Sequence, residues 1–142
     1  MTPIRILLVE DNEGDILLTT EALEEAKILN EVTVVRDGEL AIELLQNALL
    51  KPATLPDLIL LDVNLPKKNG HEVLMSIKNN PKLCHIPVIM LTTSSSPADI
   101  KAAYEEHVNC YIVKPVEAES FIKMTASIEE FWFSIVKLPG KN

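Results

Sequence analysis

The chain has 142 residues, 47% hydrophobic and 24% charged, which suits one globular domain able to bury its own core. Its net charge of -8 opposes binding to a polyanion, which needs clustered Lys and Arg, so nucleic acid is not expected as a direct partner. No apolar run reaches the length of a membrane span, and Met1-Thr2-Pro3-Ile4-Arg5 lacks the design of a signal peptide, so the expectation is a cytoplasmic protein with no membrane partner.

Short apolar strands alternate with amphipathic helices along the chain. Ile4 to Val9 reads as the first strand. Asn12 then offers a cap and Asp15 a first-turn acid for a helix with Ile16, Thr20, Leu23 and Lys27 at helical spacing, ending near Ala26. Val32 to Val35 is β-branched and strand-like, and Asp37-Gly38 opens a second helix with Leu40, Ala41, Leu44, Leu45 and Ala48 on one face. Lys51 to Pro56 reads as a loop. Leu58-Ile59-Leu60-Leu61 is apolar throughout, as a strand buried on both faces should be, and it stops on Asp62, Asn64 and the Pro66 turn. A third helix runs through Val73, Leu74 and Ile77 and stops before Pro81. Pro87 to Leu91 is a fourth strand ending at Thr92. Ser96 as cap, Pro97 at the first helical position and Asp99 in the first turn start a fourth helix that reaches about His107. Cys110 to Val113 is a fifth strand ending on Lys114-Pro115. Glu117 to Ser134 is a last helix with Phe121, Met124, Ile128 and Phe131 or Trp132 on one stripe. Cys84 and Cys110 have no metal-ligand spacing and read as small buried hydrophobes; His71, His85 and His107 are isolated along the chain and receive no role.

This alternation implies a doubly wound α/β domain with a parallel five-stranded sheet, and the flavodoxin-like order 2-1-3-4-5 suits it best. That order puts the ends of strands one and three side by side at a topological switch point, so Glu10, Asp11 and Asp62 should meet, with Thr92 and Lys114 on the other side of the crevice. Three carboxylates roughly 5 Å apart repel by ~3 kcal/mol per pair at an effective dielectric near 20, so the cluster needs a cation or shifted pKa values. Lys114 supplies one positive charge. Mg2+, a hard cation that takes oxygen ligands and keeps positions open to water or phosphate, suits the rest. The arrangement resembles a metal-assisted phosphoryl-transfer site.

The residues at the strand ends resemble a known family. Val9-Glu10-Asp11-Asn12, Leu61-Asp62-Val63-Asn64-Leu65-Pro66, Thr92 and Tyr111-Ile112-Val113-Lys114-Pro115 are similar to the motifs of receiver domains in two-component response regulators, in the same order and over almost the whole chain. The resemblance implies that Asp62 accepts a phosphoryl group from a sensor histidine kinase. It implies that Asp11, Asp62 and the Asn64 backbone carbonyl bind Mg2+, with Glu10 acting directly or through water. Thr92 and Lys114 would contact phosphoryl oxygens, and Tyr111 would be the aromatic switch. Such a domain is not an enzyme in its own right, but a phosphoacceptor that promotes its own phosphorylation and dephosphorylation. The run from Glu10 to Asp15, Leu65-Pro66-Lys67-Lys68-Asn69-Gly70 and Phe131-Trp132-Phe133 resemble the single-domain receivers that accompany bacterial phytochromes, which makes a phytochrome the candidate kinase. Thr93 and Ser94 depart from the usual alanine and charged residue, which leaves the phosphate lifetime open.

Rival readings are weaker. A phosphatase of the haloacid dehalogenase type needs a second acid two residues after the nucleophile, where this chain has Asn64. A flavin-binding module would want a phosphate cradle where Glu10, Asp11, Glu13 and Asp15 stand. A scaffold without phosphotransfer would not need the acids, Thr92 and Lys114 together. The whole of 1–142 is expected to be one receiver domain with an aromatic-rich tail over about 131–142 and no output domain, so its signal must pass to a downstream protein or phosphotransfer partner. One helical stripe cannot bury Phe131, Trp132 and Phe133 together, so either the tail folds back to cover its own domain or the aromatics form a contact surface, and of the two a homodimer whose interface includes them is expected.

Overall fold

Strands β1 (Ile4–Val9), β2 (Asn30–Val35), β3 (Leu58–Leu61), β4 (Val88–Thr92) and β5 (Cys110–Val113) form one parallel sheet in the order β2-β1-β3-β4-β5 in the computed structural model, which describes residues 2–139. Positions 140–142 of the expected tail lie outside the described residues. Helices α1 (Glu13–Glu24), α2 (Gly38–Ala48), α3 (Gly70–Lys78), α4 (Pro97–Glu105) and α5 (Ala118–Glu129) connect the strands or follow them. The architecture is the flavodoxin-like one expected from the alternation of elements.

The period-2 geometry of the strands sorts their side chains into two cores. Leu7, Val9, Ile59, Leu61, Val88 and Met90 pack with Ala41 and Leu45 of α2, Val73, Leu74 and Ile77 of α3, and Ala103 of α4. On the other face Ile4, Ile6, Leu8, Leu58, Leu60 and Ile89 pack with Leu23 of α1 and Ile128 of α5. Every residue of β3 is buried, at roughly 1.5–3 kcal/mol for each such side chain, so this strand anchors both cores.

The helix starts follow local capping chemistry. Asn12, Asp37, Asn69 and Ser96 each accept a backbone N–H from three residues on, and Asn69 with Glu72 completes a capping box on α3. Helix α4 stops before the expected His107, which adopts a left-handed conformation (φ 67°) while the Val108 N–H bonds back to the Ala103 carbonyl, a Schellman-type ending.

Three expectations need correction. Strand β2 starts at Asn30, before the β-branched run, because pairing with β1 extends to Ile4. Cys84 is exposed, since Leu83 and Ile86 take the inward positions of the turn after α3; Cys110 is half-buried. The last helix is not uniformly α-helical, because Glu130–Ile135 form a π-helical turn in which the Val136 N–H reaches the Phe131 carbonyl at 2.9 Å. This wider turn lets Trp132 and Phe133 pack on the α1–α5 core while Phe131 stays half exposed, its ring edge-on to Trp132 at 5.6 Å. Leu138 then folds back into the same core.

Candidate functional site

The site's chemistry begins where each apolar strand stops. The Glu10 N–H donates to the Val35 carbonyl at 3.0 Å, continuing β1 by one residue, and the Glu10 side chain turns inward while Asp11 faces solvent. The Asp62 N–H donates to the Val9 carbonyl at 3.1 Å, which seats the acid at the end of β3 beside the end of β1. The Lys114 N–H donates to the Thr92 carbonyl at 2.7 Å and fixes the end of β5 against β4. Glu10, Asp62, Thr92 and Lys114 are all buried, an expensive placement for charge that persists only with partners.

Those partners are mutual. Lys114 Nζ donates to Glu10 Oε1, to Asp15 Oδ2 at 2.9 Å and to Asp62 Oδ2 at 3.1 Å, so all three ammonium protons are taken. Glu10 Oε2 accepts the backbone N–H groups of Asp11 and Asn12, and Asp62 Oδ1 accepts that of Asn64 at 3.3 Å. Burial pushes the Glu10 carboxyl up to about 7; the Lys114 bond opposes the push, and the Asp62 charge adds to it. Burial pulls the Lys114 ammonium down, but its bonds to Glu10 and Asp15 and the Asp62 charge outweigh this and hold its pKa above the usual lysine value.

Glu10 therefore titrates near neutrality, with a definite sign. Its folded pKa of about 7 exceeds the usual 4.5, so its contribution to stability is fully present below 4.5 and is lost as pH rises through about 7. Lys114, whose pKa is raised from an already high value, stays charged across that window. In a chelator-containing buffer, urea unfolding should show stability falling from about pH 5 to about pH 7.5 by up to about 3 kcal/mol at 1.36 kcal/mol per unit, and Glu10→Gln should flatten that part of the profile.

One oxygen each from Glu10, Asp11 and Asp62 lies within 4.8 Å of the others. An all-oxygen set with an exposed member suits a hard divalent cation with open positions, and the single ammonium of Lys114 leaves the cluster short of positive charge, so the residues fit the metal.

Thr92 ends β4 fully buried, and its Oγ1 accepts the Ser94 N–H at 3.3 Å. Tyr111 packs its ring against the α2–α4 core and donates its hydroxyl to the Ser94 carbonyl at 2.9 Å. The expected cluster of Glu10, Asp11, Asp62 and Lys114 thus comes together, with Thr92 and Tyr111 joined through Ser94. Phe131, Trp132 and Phe133 lie away from it, on the α1–α5 side. Two features escaped the sequence reading. Asp15 is a Lys114 partner from 99 residues away, although its position suggested only a helix-turn acid. His71, isolated in sequence, holds Asp99 through Nε2 at 2.9 Å.

A buried lysine and clustered strand-end acids at the β1–β3 switch point, with a hydroxyl closing the next strand, are the constellation of a receiver domain. The chain belongs to the response regulator receiver domain family, whose model matches residues 6–126. It is 47% identical over 139 residues to the response regulator Rcp1 of Synechocystis sp., an alignment covering 97% of this chain and 95% of that protein. The Mn(2+)-bound form of Rcp1 superposes with a TM-score of 0.91, covering 97% of this chain and 100% of that one. The phosphorylated cyanobacterial phytochrome response regulator RcpA is 46% identical with a TM-score of 0.93, covering 98% and 100%. No helix among the described residues is long and apolar enough to cross a membrane.

Proposed function

We propose that the protein is a cytoplasmic phosphoacceptor of a two-component pathway, which takes a phosphoryl group on Asp62 from a sensor histidine kinase in an Mg2+-dependent reaction. The observation that carries this reading is the Asp62 carboxylate itself, buried at a strand end between Lys114 and the acids Glu10 and Asp11. A nucleophile so placed needs little covalent help, because phosphoryl transfer depends mainly on positioning and on neutralised charge. Asp11, Asp62 and the Asn64 carbonyl, with Glu10 directly or through water, would hold the cation, which supplies charge neutralisation and orients the phosphoryl oxygens when bound. One Lys114 N–H exchanges its carboxylate for a phosphoryl oxygen, and the Thr92 hydroxyl, whose own hydrogen is not used by Ser94, donates to another. Tyr111 follows Thr92 through their common neighbour Ser94, which changes the α4–β5–α5 surface read by a downstream protein or phosphotransfer partner.

The likeness to Rcp1 and RcpA favours a phytochrome as the kinase. Intact mass analysis after incubation with a small phosphodonor and Mg2+ tests the reading. One added phosphoryl group that disappears on chelation of the metal before incubation is expected, and a folded protein that acquires none overturns it.

The same reading makes the protein a homodimer through its last turn. Phe131, 50% exposed, lines an apolar groove with Ile112, Met124 and Ile128, and Ile135 of the same turn is 63% exposed, a patch of the composition found at interface cores. Trp132 and Phe133 contribute by holding that turn against the domain. Light scattering at high micromolar concentration should give a dimer mass, and Phe131→Ala with Ile135→Ala should weaken association by about tenfold or more. A wild type that stays monomeric with and without phosphoryl mimic would refute the dimer.

A further inference from the structure

The β4–α4 loop is tied to α3 by a chain of hydrogen bonds that neither the capping of α4 nor the metal cluster requires. Asp99 stands in the first turn of α4, whose cap is already supplied by Ser96. Its carboxylate instead turns back: Oδ2 accepts the Ser94 hydroxyl at 2.5 Å, and Oδ1 meets His71 Nε2 at 2.9 Å. The Ser94 and His71 bonds hold the Asp99 carboxyl below its usual range, so it is an ionised acceptor. Ser94 is the residue whose N–H sits on the Thr92 hydroxyl and whose carbonyl receives the Tyr111 hydroxyl. Its Oγ also accepts the Ser96 N–H at 3.3 Å, so Ser94 is held from several sides.

The far end of the chain reaches the phosphoacceptor. His71 directly follows Gly70, where an added Cβ would lie 2.1 Å from the Asp62 carbonyl oxygen, and the Gly70 N–H donates to the Val63 carbonyl at 2.8 Å. A continuous path therefore runs from the Asp62 backbone through Gly70 and His71 to Asp99 and Ser94, and from Ser94 to Thr92 and Tyr111. It closes a ring around the site that the sheet alone leaves open, since the pairing of β3 with β4 ends at Leu61 and Met90.

We propose that His71, Asp99 and Ser94 are positioning residues, a latch between α3 and α4 that fixes the Thr92 hydroxyl and the Ser94 carbonyl relative to Asp62. The proposal rests on Asp62 being the acceptor. With the latch closed, the loop donors are already aimed when phosphoryl oxygens arrive, and the ordering of the loop is not taken from the binding energy. Its second consequence is coupling: movement of Thr92 toward a phosphoryl group moves Ser94, and Ser94 moves Tyr111 on one side and Asp99 on the other.

Beryllofluoride with Mg2+ serves as the probe, titrated into wild type, Asp99→Ala, His71→Ala and His71→Gln, with thermal unfolding to establish that each is folded. Asp99→Ala should weaken binding about tenfold, and His71→Ala less, while His71→Gln, which keeps an N–H donor toward Asp99, should recover most of the loss. Without any ligand or metal, the Tyr111 ring resonances should shift in Asp99→Ala, since its acceptor carbonyl is no longer held. Affinity within twofold of wild type in Asp99→Ala together with unmoved Tyr111 resonances would overturn the latch, as would equal losses in His71→Ala and His71→Gln. A wild type that binds no beryllofluoride and acquires no phosphoryl mass removes the acceptor reading and the latch with it; a wild type that does both while the variants match it removes the latch alone.

Discussion

Asp62→Asn is expected to abolish phosphorylation by a small phosphodonor, with a fall of at least about a thousandfold in the rate of adduct formation. The amide oxygen is a poor nucleophile, and neither Glu10 nor Asp11 can take over. Glu10 is bound to Lys114 through one oxygen and to two backbone N–H groups through the other, and Asp11 faces solvent. The variant should nevertheless fold. Replacing one carboxylate removes a charge that pushes the Glu10 pKa upward, and this relief offsets the weakened bonds to Lys114 and the Asn64 N–H. Circular dichroism and urea unfolding near wild-type values, beside a silent mass spectrum, would separate lost chemistry from lost structure. A full mass shift in Asp62→Asn would move the acceptor elsewhere.

A large loss of stability is expected at Gly70, outside the apolar core. A Cβ there would meet the Asp62 carbonyl oxygen at 2.1 Å and the Val63 Cα at 2.7 Å, both backbone atoms that cannot rotate aside. Gly70→Ala must displace either the start of α3 or the loop after Asp62. A cost of about 3 kcal/mol or more follows, at the upper end of overpacking effects. Because the strain falls on the backbone of Asp62 itself, the variant should also lose phosphorylation under conditions where it remains folded. Chemical denaturation together with the phosphodonor assay checks both, and a Gly70→Ala protein of unaltered midpoint would contradict the close approach.

The fold was legible because its signals are local. Apolar runs of strand length, caps at Asn12 and Ser96, the Asp37-Gly38 helix start and breaks at proline each act within a few residues, and right-handed crossovers leave little freedom in joining such elements. The strand-end residues were legible for a related reason: Asp62 and Lys114 each interrupt an apolar run at the end where a parallel sheet opens its crevice. The last turn was less so. Helical periodicity assumes a constant angle per residue, and the π-helical turn at Glu130–Ile135 departs from it, which decides that Phe131 faces out while Trp132 and Phe133 face in.

By itself, then, the sequence determined the order of elements, the sheet and which groups stand at the strand ends. Only the tertiary structure decided who pairs with whom among them: that Lys114 spends its three protons on Glu10, Asp15 and Asp62, and that His71 reaches Asp99. Local pattern reports the direction of a side chain from its own backbone, whereas an ion pair between residues 99 apart depends on the packing of two elements whose relative placement no local signal contains. The same holds for the raised pKa of Glu10, which comes from burial by the assembled sheet and helices and not from its sequence neighbours.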